Sequence, residues 1–473
     1  MRSFQCAICS GPLDSGMSAY PHPVCSRCAG RAVLADGSSP AWDSASDSGD
    51  NPVFIGEHRC WRRYLPDGVV TLCDPWDAED LADFYLLAEG AYPNEVLARG
   101  HFERLLREPP AAVMLGLDAQ ELAHNRALDA ILNSEAGADF LRLLAGPVAG
   151  VAAAQDAPFA DDWAAVAKAE TLRVRGRYQP VVGEGRGDEI VTVTADGVTC
   201  EIVIELKIEG EPDGEQLRRY LQGQRAGTTG PVLGILLVIG ERPMEVDRDG
   251  LVHVGARELI RALACCVDPR TPARLRRAVN DYRRAATFLL LRDRLIVGDK
   301  LGEDWRTGRL SGSIKAWADT ERNWRWIHRR IGQEVRRELT NPLPAFARRV
   351  SLNDDPYGTA IDVWLRDADF GMPPAGRLFV KWRLQHGVGV HVGAWDGPLP
   401  EAKAILQATR ERFRGPLTEA LAGLGHLKAG NKGGRSGAIV IVKSDELATL
   451  DPERVIIGLR EVTEAVVRAL ASA

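Results

Sequence analysis

The sequence predicts a multidomain α/β protein, and three observations carry that expectation. Its 473 residues amount to about three domains at roughly 150 residues each. Four of the nine cysteines cluster at the start, as in a metal-stapled knot. The middle reads strand, strand, helix, strand with flanking helices, the pattern of a mixed sheet covered by helices, and the last part alternates strands and helices as an α+β domain.

Composition narrows the class. Hydrophobic residues make up 45% and charged residues 26%, which excludes a disordered or collagen-like chain. No uninterrupted apolar run approaches the ~18 residues of a membrane span. The opening Met1-Arg2-Ser3-Phe4-Gln5-Cys6 has no apolar stretch for export. A cytoplasmic protein without membrane attachment is expected. The net charge of -6 conceals a basic segment, because residues 271–350 hold 19 Lys and Arg against 9 Asp and Glu. An anionic partner would meet that segment, although solvated Arg-rich helices give the same count.

Residues 1–36 come first. Cys6-x2-Cys9 and Cys25-x2-Cys28 stand fifteen residues apart, and each pair offers two thiolates to one tetrahedral Zn2+. Four ligands leave no open position, so this zinc is expected to be structural and to supply the folding energy of a piece too small for its own core. His22 is expected to be a bystander. The knot resembles a zinc ribbon, a module that binds nucleic acid or protein.

Residues 37–110 follow as the linker GSSPAWDSASDSGDN, a β-hairpin turning at Pro66-Asp67-Gly68, and a connecting helix in DAEDLADFYLLAEG. Residues 111–268 begin with a helix in DAQELAHNRALDAILNSE and another over about 161–174. The runs EIVTVTA and CEIVIELKIE form a hairpin at Asp196-Gly197. A helix over about 214–224, the strand PVLGILLVIG, a short strand over 251–254 and the helix ARELIRALACCV complete this part. Residues 269–345 read as basic helices. Residues 346–473 hold strands at TAIDVWL, RLFVKWRL, VGVHVGAW and GAIVIVK, with helices at EAKAILQATRERF and PERVIIGLREVTEAVVRAL. No GxxxxGK[ST] loop is present.

The chemistry-bearing residues lie in the middle part. Strand alternation puts Ile202, Ile204, Leu206 and Ile208 on a core face and Val203, Glu205, Lys207 and Glu209 on the other. Glu205 and Lys207 are thus neighbours on one face; a salt bridge on a wet strand would look the same. Asp188, after Gly185-Arg186-Gly187, starts the neighbouring strand, at a register that sequence leaves open. Gln216 and Tyr220 stand four apart on the next helix, and Glu170 ends an earlier one.

The order Glu170, Asp188, Glu205-Leu206-Lys207, Gln216 and Tyr220 resembles the PD-(D/E)XK nuclease superfamily over about residues 110–265. Gly187 stands where the family name has proline, and Leu206 where a polar residue is common. The resemblance implies a restriction-endonuclease-like mixed sheet flanked by helices. It also implies a metal-dependent nuclease acting on DNA, often in restriction, repair or anti-phage defence. Asp188 and Glu205 would hold Mg2+ or Mn2+. Lys207, its pKa lowered, would hold or deprotonate the attacking water. Glu170 would serve a second metal or its water, with Glu121 as the rival helical acid, and Gln216 would orient the lysine or a phosphate.

Arg276, Arg277, Arg283, Arg284, Arg325, Arg329 and Arg330 are the candidate phosphate contacts, within a segment where Trp324 and Ile327 read as core. The loop AGNKGGRSG adds Lys432 and Arg435. The expected partner is nucleic acid, with a homo-oligomer or a defence-system protein as further candidates. The alternative is a non-catalytic module that binds nucleic acid or protein on a degenerate nuclease fold; a structural hub is a third reading.

Overall fold

The chain divides into two units, Met1–Leu295 and Ile296–Ala473. The structure, a computed structural model, describes residues 5–472 apart from 15, 44–47, 66–67, 118–119, 183–184, 187, 209–213, 241–243, 248–249, 269, 298–311, 319, 341–344, 346, 356–357, 366–375, 384–386, 395–398, 425–427, 430–437 and 444–451. Part of the expected linker, the turn residues Pro66 and Asp67, Gly187, Glu209, Lys432 and Arg435 therefore lie outside the described residues. Mixed helices and several sheets make this an α/β protein.

In the first unit, β1 (Val53–Ile55), β2 (His58–Leu65) and β3 (Gly68–Cys73) form a three-stranded antiparallel sheet, one strand more than the expected hairpin. The Cys-rich knot is stitched to it: the Val24 N–H donates to Thr71 O (3.0 Å) and the Cys73 N–H to His22 O (2.9 Å). Cys6, Cys25 and Cys28 share one apolar cluster with Val53, Ile55, Cys60 and Cys73. Residues on both sides of position 36 thus contribute to one apolar cluster.

Helices α1 (Leu81–Glu89), α2 (Glu95–Arg107), α3 (Glu121–Leu132), α4 (Gly137–Ala154) and α5 (Ala160–Lys168) follow. Asp80 and Asn94 cap the first two by accepting from Asp83 N and Leu97 N. By length and composition α4 could cross a bilayer. The Ala/Gly/Pro-rich stretch ahead of Asp161 reads as a break in the sequence, but the helix runs through Gly146, Pro147 and Gly150 to Ala154. Its Phe140, Leu141, Leu144, Val148 and Ala152 are buried in the unit's interior. Helix α5 ends at Lys168, short of the expected 174, and Leu172–Tyr178 is strand β4.

The central sheet continues with β5 (Glu189–Ala195), β6 (Val198–Lys207), helix α6 (Gly214–Gly227), β7 (Val232–Val238), β8 (Glu245–Val246) and β9 (Leu251–Gly255). Strand order is β8-β9-β7-β6-β5-β4, with β6, β7 and β9 parallel and the rest antiparallel. Helices α7 (Ala256–Cys265) and α8 (Ala273–Val297) close this part.

In the second unit, helix α9 (Glu321–Thr340) precedes strands β10 (Ala347–Asp355), β11 (Gly358–Leu365), β12 (Gly376–Arg383) and β13 (Gly387–Ala394). Then come α10 (Leu399–Ala422), β14 (Lys428–Ala429), β15 (Ala438–Lys443) and α11 (Pro452–Ser472). The sheet is antiparallel, in the order β10-β11-β12-β13-β15-β14. Trp326, Ile327, Val363, Val380, Trp382, Phe413 and Leu459 meet in its core.

Candidate active site

The four knot cysteines place their sulfurs within 4.8 Å of one another. Cys9 Sγ and Cys25 Sγ are 3.8 Å apart, and the Cys25 N–H donates to Cys6 Sγ (3.3 Å). Burial alone would raise the Cys6 thiol, but backbone N–H groups of Cys25, Cys9 and Ile8 aimed at its sulfur bring it down to about 6. Cys25, despite the Cys28 N–H, and Cys28 are pushed up by burial and crowding by the neighbouring sulfurs while Cys6 comes down, and four converging sulfurs fit a structural zinc by their number and spacing. His22 packs edge-on against Trp76 instead.

The second group lies at one end of the central sheet. Asp196 and Gly197 both take positive φ (47° and 88°), the two-residue turn whose twist matches antiparallel strands. That turn fixes Ile204 opposite Glu189, so the next step places Asp188 beside Glu205. The Leu206 N–H donates to Asp188 Oδ2 (2.9 Å). Strand β6 is buried on both faces, because α6 covers the odd-numbered face and packs Leu217 and Leu221 on Val203. Glu205, two residues on, is only 1% exposed and so is no wet-side residue.

Lys207 Nζ stands 2.7 Å from Glu205 Oε1 and 3.6 Å from Glu121 Oε2. The other Glu121 oxygen accepts from Ile208 N (3.4 Å). Glu205 Oε2 has no hydrogen-bond partner among the described residues. Burial pushes the Glu205 carboxyl up to about 7; Lys207 opposes this and Asp188 and Glu121 add to it. Lys207 is raised, contrary to the expected lowering. Burial does disfavour its charge, but the contact with Glu205 and the charges of Glu205, Glu121 and Asp188 outweigh it.

Gln216 Nε2 donates to Tyr220 Oη (2.9 Å), and Tyr220 packs on the face that carries Val203 and Glu205. Glu170 is not part of the group. It is exposed, and its N–H donates to Asp196 Oδ2 (3.2 Å) at the turn end of the hairpin. The length of β5, about 20 Å, separates it from Asp188. Glu121 is the helical acid that reaches Lys207.

Two expected phosphate contacts are taken up inside the fold. Arg283 is 4% exposed and its Nη1 bonds both Asp83 oxygens, at 2.7 and 2.9 Å. Arg284 donates to Glu108 O (2.6 Å) and stands 3.2 Å from Glu79. Arg276 and Arg277 are exposed on α8, and Arg329 is half-buried on α9. The side chains of Trp324, Arg325 and Arg330 lie outside the described set, and Trp326 takes the buried place next to Ile327.

No family model, no curated protein and no solved structure matches the chain. The resemblance to PD-(D/E)XK nucleases therefore rests on the order of residues in the sequence. Among the described residues, only the four cysteines bring three or more possible metal ligands within 4.8 Å of one another. Asp188, Glu205 and Glu121 are gathered more loosely, around Lys207. Sequence reasoning passed over Glu189, the second acid of Gly187-Asp188-Glu189. It is fully buried on the opposite face of β5 from Asp188.

Proposed function

We propose that the chain is a metal-dependent nuclease that hydrolyses phosphodiester bonds of DNA, with defence against foreign DNA as its setting. The observation that carries this reading is the meeting of Asp188, Glu205, Lys207 and Glu121 from two strands and a helix. Three carboxylates around one ammonium leave surplus negative charge in a buried place, and hard oxygen donors suit Mg2+ or Mn2+. A cation held by Asp188 and Glu205 would stabilise charge on the phosphoryl and leaving oxygens and acidify a bound water. Lys207, kept charged by its carboxylate neighbours, donates to a phosphoryl oxygen or to the attacking water. Glu121 holds the lysine from the helix side. Gln216 and Tyr220 line the approach from α6. Arg276 and Arg277 supply exposed charge for the backbone of the substrate. The four-cysteine knot would recruit nucleic acid or a protein partner.

The test is incubation of the zinc-loaded protein with plasmid, linear and single-stranded DNA and with RNA, with and without Mn2+. Asp188→Ala and Glu205→Ala should each abolish cation-dependent cleavage while circular dichroism stays unchanged. Full activity in both variants would remove this site from the chemistry. The loose spacing of the three acids favours a second reading, a binding module on a degenerate nuclease fold. That module would retain DNA in a mobility shift yet cut no substrate and take up no Mn2+ at Asp188 and Glu205.

A further inference from the structure

On the face of the central sheet away from Asp188, buried oxygens collect with few donors among the described residues. Glu189 is 0% exposed and no side-chain donor reaches either of its carboxylate oxygens there, the backbone N–H of Arg177 being the donor beside it. Tyr178, its direct neighbour across β4, has a buried hydroxyl that no described residue bonds. Helix α3 crosses this face with Asn125, Asp129 and Asn133 at four-residue spacing, on one side of the helix. Asn125 is 2% exposed and its Oδ1 also lacks a donor among the described residues.

Gly176 shows how closely the two acids approach. A Cβ added there would stand 2.6 Å from Glu189 Oε1, 3.0 Å from Asn133 Nδ2 and 3.2 Å from Asp129 Oδ1, so the two carboxylates and the Asn133 amide converge on one spot that only glycine leaves open. Asn133 frames the spot by accepting from Gly176 N (3.0 Å) and donating to Asp129 Oδ1 (2.7 Å). Arg177, the adjacent cation on β4, is engaged by Glu201 at 3.1 Å.

We propose that Glu189 and Asp129 hold a hard divalent cation, Ca2+ or Mg2+, between α3 and strands β4 and β5, as a site separate from Asp188 and Glu205. Native proteins rarely leave a buried carboxylate with no more than one backbone donor, and further underused acceptors in the same seam point to a missing positive ligand. Two carboxylates balance a double charge, and the hydroxyl of Tyr178, paired directly with Glu189, adds a neutral oxygen of the kind such cations prefer. The cation would clamp the helix whose first residue is Glu121. The assignment does not depend on the nuclease reading.

The experiment uses the zinc-loaded full chain carrying Asp188→Asn and Glu205→Gln, which disables the first site. Mn2+ is titrated and free ion is followed by electron paramagnetic resonance. One equivalent should remain bound. Adding Glu189→Gln, nearly the same shape, should weaken it at least about tenfold, the lower range for lost support at a metal site. Asp129→Asn, at the half-exposed rim, should do the same, with far-UV circular dichroism reporting that each variant is folded. No bound Mn2+ in the parent, or binding untouched by both substitutions, would overturn the site and leave a proton on Glu189 as its neutraliser.

Discussion

Two buried charge groups in the first unit are built on opposite principles. Asp83 and Arg283 are 1% and 4% exposed and come from positions 200 residues apart. Asp83 receives Arg283 on both oxygens and the Glu79 N–H on one, while Arg283 Nε donates to Asn280. Charge is balanced and the acid is satisfied. Burial would raise Asp83, yet the neighbouring guanidinium holds it at about 2. At Glu205 the balance fails: Asp188, Glu205 and Glu121 share the single ammonium of Lys207. The contrast separates a charge pair that ties helices together from a charge surplus that suits a cation. Perturbed, incompletely paired carboxyls of the second kind are what active sites collect.

Removing one charged residue from each group tests the distinction. Asp188→Ala or Glu205→Ala should lower cation-dependent cleavage by on the order of a hundred- to a thousandfold or more, read in a plasmid-nicking assay, with little loss of stability. Arg283→Met should do the reverse. It strands Asp83 and should destabilise by about 3–5 kcal/mol in urea unfolding, whereas Arg283→Met with Asp83→Leu should recover most of that.

The pH response should have opposite signs. Asp83 is depressed from 3.8 to about 2, so its contribution of about 2 kcal/mol is complete above 3.8 and is lost as pH falls through 2. Glu205 is raised from 4.5 to about 7, so stability is complete below 4.5 and declines as pH climbs through 7. Urea midpoints across pH should lose the second slope in Glu205→Gln and keep it in Asp83→Asn. The mildest change is expected for Arg276→Ala with Arg277→Ala. If both touch duplex phosphates, the slope of log affinity against log salt falls by about 2, at about 0.9 per contact. Arg283→Met should leave that slope unaltered.

Period and turn chemistry made the central strands legible. Glu189–Ala195 and Val198–Lys207 follow from β-branched runs around Asp196-Gly197, and the knot follows from cysteine spacing alone. Edge strand Leu172–Tyr178 was missed because LRVRGRY carries three arginines and a glycine and continues a helical stretch without a break. The pairing of Asp188 with Glu205 needs a register, and the choice of Glu121 over Glu170 needs a helix direction; both are tertiary quantities. The basic segment misled at Arg283 and Arg284, since charge counts carry no information on burial.

The two-residue hairpin turn also decides which acid does what. Adjacent residues on a strand look to opposite sides, so Asp188 and Glu189 are assigned their separate neighbourhoods by the length of one loop. A single residue inserted beside Gly197 would exchange them: Glu189 would swing toward Lys207, and Asp188 would turn under the helix. An insertion there that shifts the pairing by one residue would therefore disturb both sides of the sheet at once.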